Sequence, residues 1–198
     1  MKASTGKRNT VKYFVFILLA VCFLAVLSVG GWDYVKRVRV LGSISRVIEV
    51  EDLDSLTLSV YYISPFTLTH SRNSAEDLIS HRIWCSDDYF CKDHRLIVRD
   101  DQIVAQGDRL EESINALRKI DISALKTVIR IKTRPDVRLC YVFETGEGER
   151  LLTVAYDTFG EKVFVNGIRV KDGNIFSDVI RPLLSEEEAE ILDVYLYR

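Results

Sequence analysis

The densest group of reactive side chains in this chain is His81-x3-Cys85-x5-Cys91-x2-His94, inside the segment HRIWCSDDYFCKDH. Two thiols and two imidazoles within fourteen residues supply the ligand types and number that tetrahedral zinc takes. Their order differs from the familiar fingers, which pair a close Cys-x2-4-Cys with His-x3-5-His. A second chemistry is open to the same thiols: a Cys85 to Cys91 disulfide, closing a small loop that presents Trp84, Asp87, Asp88, Tyr89 and Phe90. Such a short closure contributes about 2 kcal/mol or slightly more. Free thiols are the third possibility. Cys140, mid-strand, reads as a small buried filler, and it could instead take Cys85 or Cys91 as its partner.

Other catalytic arrangements are weaker. Ser, His and Asp all occur, but no serine lies in a G-x-S-x-G elbow, and no cysteine has the local pattern of a known thiol protease. His70 and His94 stand out only because histidines are few. Asp87-Asp88, Asp100-Asp101 and Glu186 to Glu188 are adjacent in sequence, whereas glycosidase chemistry sets two carboxyls roughly 5 to 10 Å apart across a cleft. Gly146-x-Gly148 lies between two strands, where a phosphate loop would open a helix, so it reads as a turn.

The compartment decides between the two readings of the thiols, and residues 13–32 supply it. YFVFILLAVCFLAVLSVGGW runs twenty residues with no charge between Lys12 and Asp33. At about 1.5 Å per residue it spans roughly 30 Å, the thickness of a bilayer's hydrocarbon core. Tyr13 at one end, with Trp32 and Tyr34 at the other, sit where amphipathic rings favour the headgroup level. Lys2, Lys7, Arg8 and Lys12 precede the run without an acid, which keeps the amino end inside. The far flank carries Lys36, Arg37 and Arg39, offset by Asp33. Small residues at Ser28 to Gly31 also suit a cleaved signal peptide, but that core is usually only about 7 to 15 residues. A lipoprotein signal at Cys22 is disfavoured by Val21 before it and the apolar residues after it. The expectation is a basic cytoplasmic tail over 1–12, a signal-anchor helix over 13–32 and an extracytoplasmic remainder, where paired thiols oxidise more readily than they bind metal.

Residues 32–198 are 167 in number, enough for one domain with a real core. Without the four basic residues of the leader, 23 Lys plus Arg face 29 Asp plus Glu, about −6. That charge disfavours a nucleic-acid partner, which needs a basic surface. Val35 to Leu41 and Arg46 to Val50 read as strands or an extended stalk over 33–50, followed by the domain over 51–198. Leu56 to Ile63 is a strand. Ser74 to Asp77 can cap a short helix to about His81. Asp108 to Glu111 resembles a capping box, placing Leu110, Ile114 and Leu117 on one helix face, and Ser185 to Glu188 resembles another. Between them, Val128 to Lys132, Val137 to Glu144 and Arg150 to Tyr156 alternate with period two. Val163 to Val165 and Ile168 to Val170 are joined by Asn166-Gly167, a specific signal for a two-residue type I′ hairpin.

These readings give an α+β domain of antiparallel sheet with about three helices, behind a single transmembrane helix that contacts the lipid bilayer. The expected function is a membrane-anchored extracytoplasmic binding or structural module with an unknown protein or envelope partner, no cofactor and no evident catalytic activity. The loop from Trp84 to Phe90 is the expected contact surface, because exposed aromatics are enriched at interfaces. Two alternatives stand beside it: a hydrolase-like envelope enzyme whose site is dispersed in sequence, and a metal or redox sensor using His81, Cys85, Cys91 and His94.

Overall fold

A computed structural model of the chain describes residues 5–63, 72–80, 102–128, 135–157, 162–186 and 189–190. For residues 5–16, 20 and 22–29 that description covers the backbone alone. The fold is α+β. Among the described residues six antiparallel strands form one sheet in the order β2-β1-β3-β4-β5-β6. They are β1 (Leu56–Tyr62), β2 (Gln102–Ala105), β3 (Val137–Thr145), β4 (Arg150–Asp157), β5 (Val163–Val165) and β6 (Ile168–Val170).

Period-two alternation sorts the strands' side chains between two faces. Leu58 and Val60 of β1, Tyr141 and Phe143 of β3, Leu152, Val154 and Tyr156 of β4, and Val163 and Val165 of β5 point into the larger core. Tyr61, Cys140, Val142, Ala155 and Phe164 point the other way, into a smaller cluster with Leu78. β3 is therefore buried on both faces, as its apolar run LCYVF requires of a central strand. The β5–β6 hairpin closes on Asn166 (φ 46°) and Gly167 (φ 74°), the two positive angles of the expected I′ turn.

Among the described residues three α-helices accompany the sheet, of which the first, α1 (Thr5–Ile48), is by far the longest. α2 (Ala75–Ile79) starts with a complete capping box, in which Ser74 Oγ accepts from Asp77 N–H at 3.2 Å and the Asp77 carboxylate accepts from Ser74 N–H at 2.7 Å. It packs Leu78 on the smaller face. α3 (Asp108–Lys119) buries Leu110, Ile114 and Leu117 in the larger core, as their spacing requires. Its expected capping box is corrected: the N-cap is Gly107, one residue earlier, and no side chain caps the helix. Two 3-10 helices, Gly173–Val179 and Arg181–Leu183, complete the larger core with Phe176, Val179 and Leu183. Near the carboxyl end, Ala189 N–H donates to the Ser185 carbonyl at 2.8 Å, a helical-turn bond, while Glu187 and Glu188 lie outside the described residues.

The first helix brings the main correction. α1 runs unbroken to Ile48, and Glu49 N–H still donates to the Ser45 carbonyl at 2.9 Å. Val35 to Leu41 therefore lies wholly inside a helix and Arg46 to Val50 begins in its last turn, so neither forms the expected strand or extended stalk. The physical reason is packing: Val40, Ile44 and Val47 recur at helical spacing and are fully buried in the larger core. Polar contacts along the helix add to this docking. Asp33 accepts from the Thr127 hydroxyl and Arg37 donates to the Ser123 carbonyl. Farther along, Asn166 Nδ2 donates to Ser43 Oγ at 2.7 Å, and Arg46 meets Glu149. Contacts between α1 and the rest of the described fold thus reach back to Asp33. Among the described residues no helix is long and apolar enough to cross a membrane. The expected span, 13–32, falls largely on side chains outside that description.

Candidate functional site

The residues that carried the chemistry in the sequence, His81, Trp84, Cys85, Asp87, Asp88, Tyr89, Phe90, Cys91 and His94, lie outside the described residues, as do His70 and Asp100-Asp101. The segment containing most of them connects Ser80, just after α2, to Gln102, the first residue of edge strand β2. Cys140 is described and fully buried in the smaller cluster, with its Sγ 4.0 Å from the Ala75 carbonyl. Among the described residues no three His, Cys, Asp or Glu side chains converge on a metal-sized site. Gly146 and Gly148 form the β3–β4 turn, where Gly148 N–H donates to the Thr145 carbonyl at 2.8 Å and Gly148 takes φ 83°.

Two concave surfaces are built by the described residues. The larger, about 730 Å³, lies between the end of α3, the turn that follows it, and the 3-10 helices. Ala116, Ile120, Leu125, Ile175 and Pro182 supply its apolar lining. Around these stand Lys119, Lys171 and Arg181 with Asp121, Asp172 and Asp178, three charges of each sign. Asp121 closes the turn: it accepts from Ser123 Oγ at 2.6 Å and from Ser123 N–H at 3.0 Å. The Ser123 hydroxyl, with the Ser123 and Ala124 backbone N–H groups, holds the Asp121 carboxyl below its ordinary range. This same turn is tied to α1, through Ser123 to Arg37 and through Thr127 to Asp33, both within five residues of Trp32. The lining was illegible in the sequence, because it is assembled from a helix end, a turn and 3-10 segments that have no hydrophobic period.

The smaller surface, about 400 Å³, opens beside α2 on the other face of the sheet. Ile79, Val137, Ala155 and Phe164 make its apolar part, and Arg150 bridges Glu76 at 2.6 Å and Glu144 at 3.0 Å beside it. The described residues include no histidine, and the hydroxyl–carboxylate pairs at these surfaces, Ser123 with Asp121 and Ser74 with Asp77, close a turn and a helix cap. Both surfaces combine an apolar lining with charged side chains of both signs.

The deepest titratable groups lie beneath the sheet face. Tyr141 donates to the Phe176 carbonyl at 3.0 Å. The Tyr156 hydroxyl, equally buried, has no hydrogen-bond partner among the described residues. Burial pushes both phenols well above their ordinary range, helped by Tyr156 beside Tyr141 and by the Asp178 carboxylate near Tyr156. Both rings fill the core.

Comparison of the chain with known family models, with curated proteins and with solved structures finds no match.

Proposed function

We propose that the chain is a single-pass membrane protein whose extracytoplasmic α+β domain acts by binding a protein or envelope partner, or as a structural component of the envelope. The observation that carries this reading is α1. One 44-residue helix holds the uncharged run 13–32 in its first part and buries Val40, Ile44 and Val47 in the domain core in its last turns. A tether of that kind leaves no slack between the end of the apolar run and the domain. Asp33 and Arg37 already touch the domain within the first turns after Trp32.

The sequence adds the direction, with the basic tail 1–12 on the cytoplasmic side. In that compartment Cys85 and Cys91 bridge, and the segment from Trp84 to Phe90 is the contact surface. In cells making the full chain, the protein stays in the membrane pellet through alkaline carbonate washing. Protease added to spheroplasts removes the domain while the amino-terminal tail survives. Recovery in the soluble fraction, or a domain protected until the membrane is opened, contradicts the reading.

A further inference from the structure

Two lengths fix how the domain stands beside α1. Along the helix, Asp33 meets Thr127, Ser43 meets Asn166 and Arg46 meets Glu149. Asp33 to Ser43 is ten residues, about 15 Å of helical rise. In the sheet, Val170 bridges Thr127, flanked by bonds from Val128 N–H to the Arg169 carbonyl at 2.9 Å and from Lys171 N–H to the Lys126 carbonyl at 2.8 Å. Asn166 to Val170 is four residues of extended chain, about 13 Å. The lengths agree, so β6 runs alongside the helix. Its last residue, with Lys126, Thr127 and Lys171, stands level with Asp33, and the β3–β4 turn stands about 20 Å farther along, level with Arg46.

Charge is divided between these two ends. Segments 33–39, 121–128 and 170–172 hold five Lys plus Arg against three Asp, and two of those carboxylates, Asp33 and Asp121, accept from the hydroxyls of Thr127 and Ser123. Lys126 and Lys171 are exposed, and among the described residues neither is in an ion pair. At the other end, segments 46–55 and 144–150 hold seven Asp plus Glu against Arg46 and Arg150. Direction agrees with charge. Lys36 Nζ lies 5.9 Å from the Trp32 ring centroid, so this side chain turns back towards the apolar run, the way helical side chains lean. Trp32 and Tyr34 beside it are exposed by 65 and 70 %.

We infer that the basic end of the domain seats on anionic phospholipid headgroups, with Lys36, Lys126 and Lys171 as its contacts and the acidic β3–β4 end turned away from the bilayer. This rests on the reading of 13–32 as the anchor. The level selects the occupant. A headgroup layer is roughly 5 to 8 Å thick, so beyond Trp32 it is crossed by Asp33 to about Arg37, the stretch of helix to which Thr127 and Ser123 are bonded. α1 continues without a break from the apolar run to Ile48, which leaves no linker to lift the domain clear. Phosphodiesters at that level complement the ammonium groups of the three lysines. The acidic end lies well beyond the screening length of about 8 Å at physiological ionic strength, so it does not oppose the contact.

The test reconstitutes the full chain into vesicles of phosphatidylcholine and phosphatidylglycerol, with an encoded fluorescent residue at one of three exposed positions, Lys126, Lys171 or Glu147. A nitroxide on the lipid headgroup quenches it by contact. Quenching at 126 and 171 is expected to be at least threefold that at 147. Nitroxide carried on phosphatidylglycerol should quench position 126 at least twice as strongly as the same amount on phosphatidylcholine. Lys36→Glu with Lys171→Glu abolishes that lipid preference, with the near-ultraviolet circular dichroism of the folded domain unchanged. Equal quenching at all three positions, or the strongest at 147, overturns the inference. So does a lipid preference that is absent from the parent chain or persists in the double variant. Carbonate washing of the same vesicles separates the two readings. Position-dependent quenching of chain that the wash releases leaves the docking surface standing and removes the anchor, whereas retained chain quenched equally at every position does the reverse.

Discussion

Replacing Ile44 by alanine tests whether the end of α1 is part of the domain or merely leads to it. Ile44 is completely inaccessible and belongs to the larger core with Val40 and Val47. The substitution deletes three carbons beyond Cβ, worth about 0.8 kcal/mol each on transfer from water, or about 2.4 kcal/mol together. The cavity that remains adds to this, since the core relaxes only partly, and brings the expected loss to about 3 kcal/mol. For a chain of this length each kcal/mol moves the midpoint by about 2 to 4 °C, so Ile44→Ala should lower it by about 6 to 12 °C. The assay is thermal unfolding of the full chain in detergent, followed by near-ultraviolet circular dichroism. Arg39→Ala is the control: Arg39 is exposed on the same helix, and its replacement should stay within about 0.5 kcal/mol. An Ile44→Ala midpoint no lower than that of Arg39→Ala would refute the docking of α1 and, with it, the absence of slack between apolar run and domain.

Removing the hydroxyl should cost stability at one buried tyrosine and not at the other. Tyr141→Phe strands the Phe176 carbonyl and costs about 1 to 3 kcal/mol, while Tyr156→Phe removes a hydroxyl without a partner among the described residues and is neutral or stabilising in the same unfolding assay. Both phenols titrate above the ordinary value of 10.0 when folded, so the unfolded chain releases protons first; stability is fully present below pH 10 and falls as pH rises beyond it, and Tyr156→Phe makes that fall shallower in an alkaline titration of the midpoint. Gly173→Ala should destabilise by about 1 to 3 kcal/mol, because its Cβ would stand 2.4 Å from the Val163 Cβ. Asn166→Val should cost about 2 kcal/mol or more, read by chemical denaturation: it forces a β-branched residue to φ 46° and removes the acceptor of the Thr153 N–H at 2.7 Å.

Much of the sheet could be read from the residues. β1, β3, β4 and the β5–β6 hairpin follow alternation and an Asn-Gly turn, signals that act between neighbours in sequence and survive tertiary packing. β2 went unread because four residues, QIVA, are too short to show a period, and Val104 faces outward on an edge strand. The stretch from Val35 to Ile48 misled for a different reason. Its β-branched residues alternate locally with charge, and the spacing that matters, Val40 to Ile44 to Val47, bridges the segment Gly42 to Ser45 that appeared to divide two strands. The α3 cap shifted because Gly107 takes φ 60° and ends the preceding turn, a conformation no side-chain pattern announces. The cleft beside Asp121 could not be read at all, since Lys119, Lys171 and Arg181 are brought together only by the fold. The thiol and imidazole cluster remains a reading of residue types and spacing.

The claim on which the rest depends is that residues 13–32 are retained as the membrane anchor of a folded domain. The intact mass of the protein recovered from carbonate-washed membranes, alkylated without prior reduction, tests it most directly. The account predicts a mass that includes residues 13–32, with Cys85 and Cys91 unlabelled because they are bridged. A mass corresponding to a chain that begins near Gly31 would contradict the anchor.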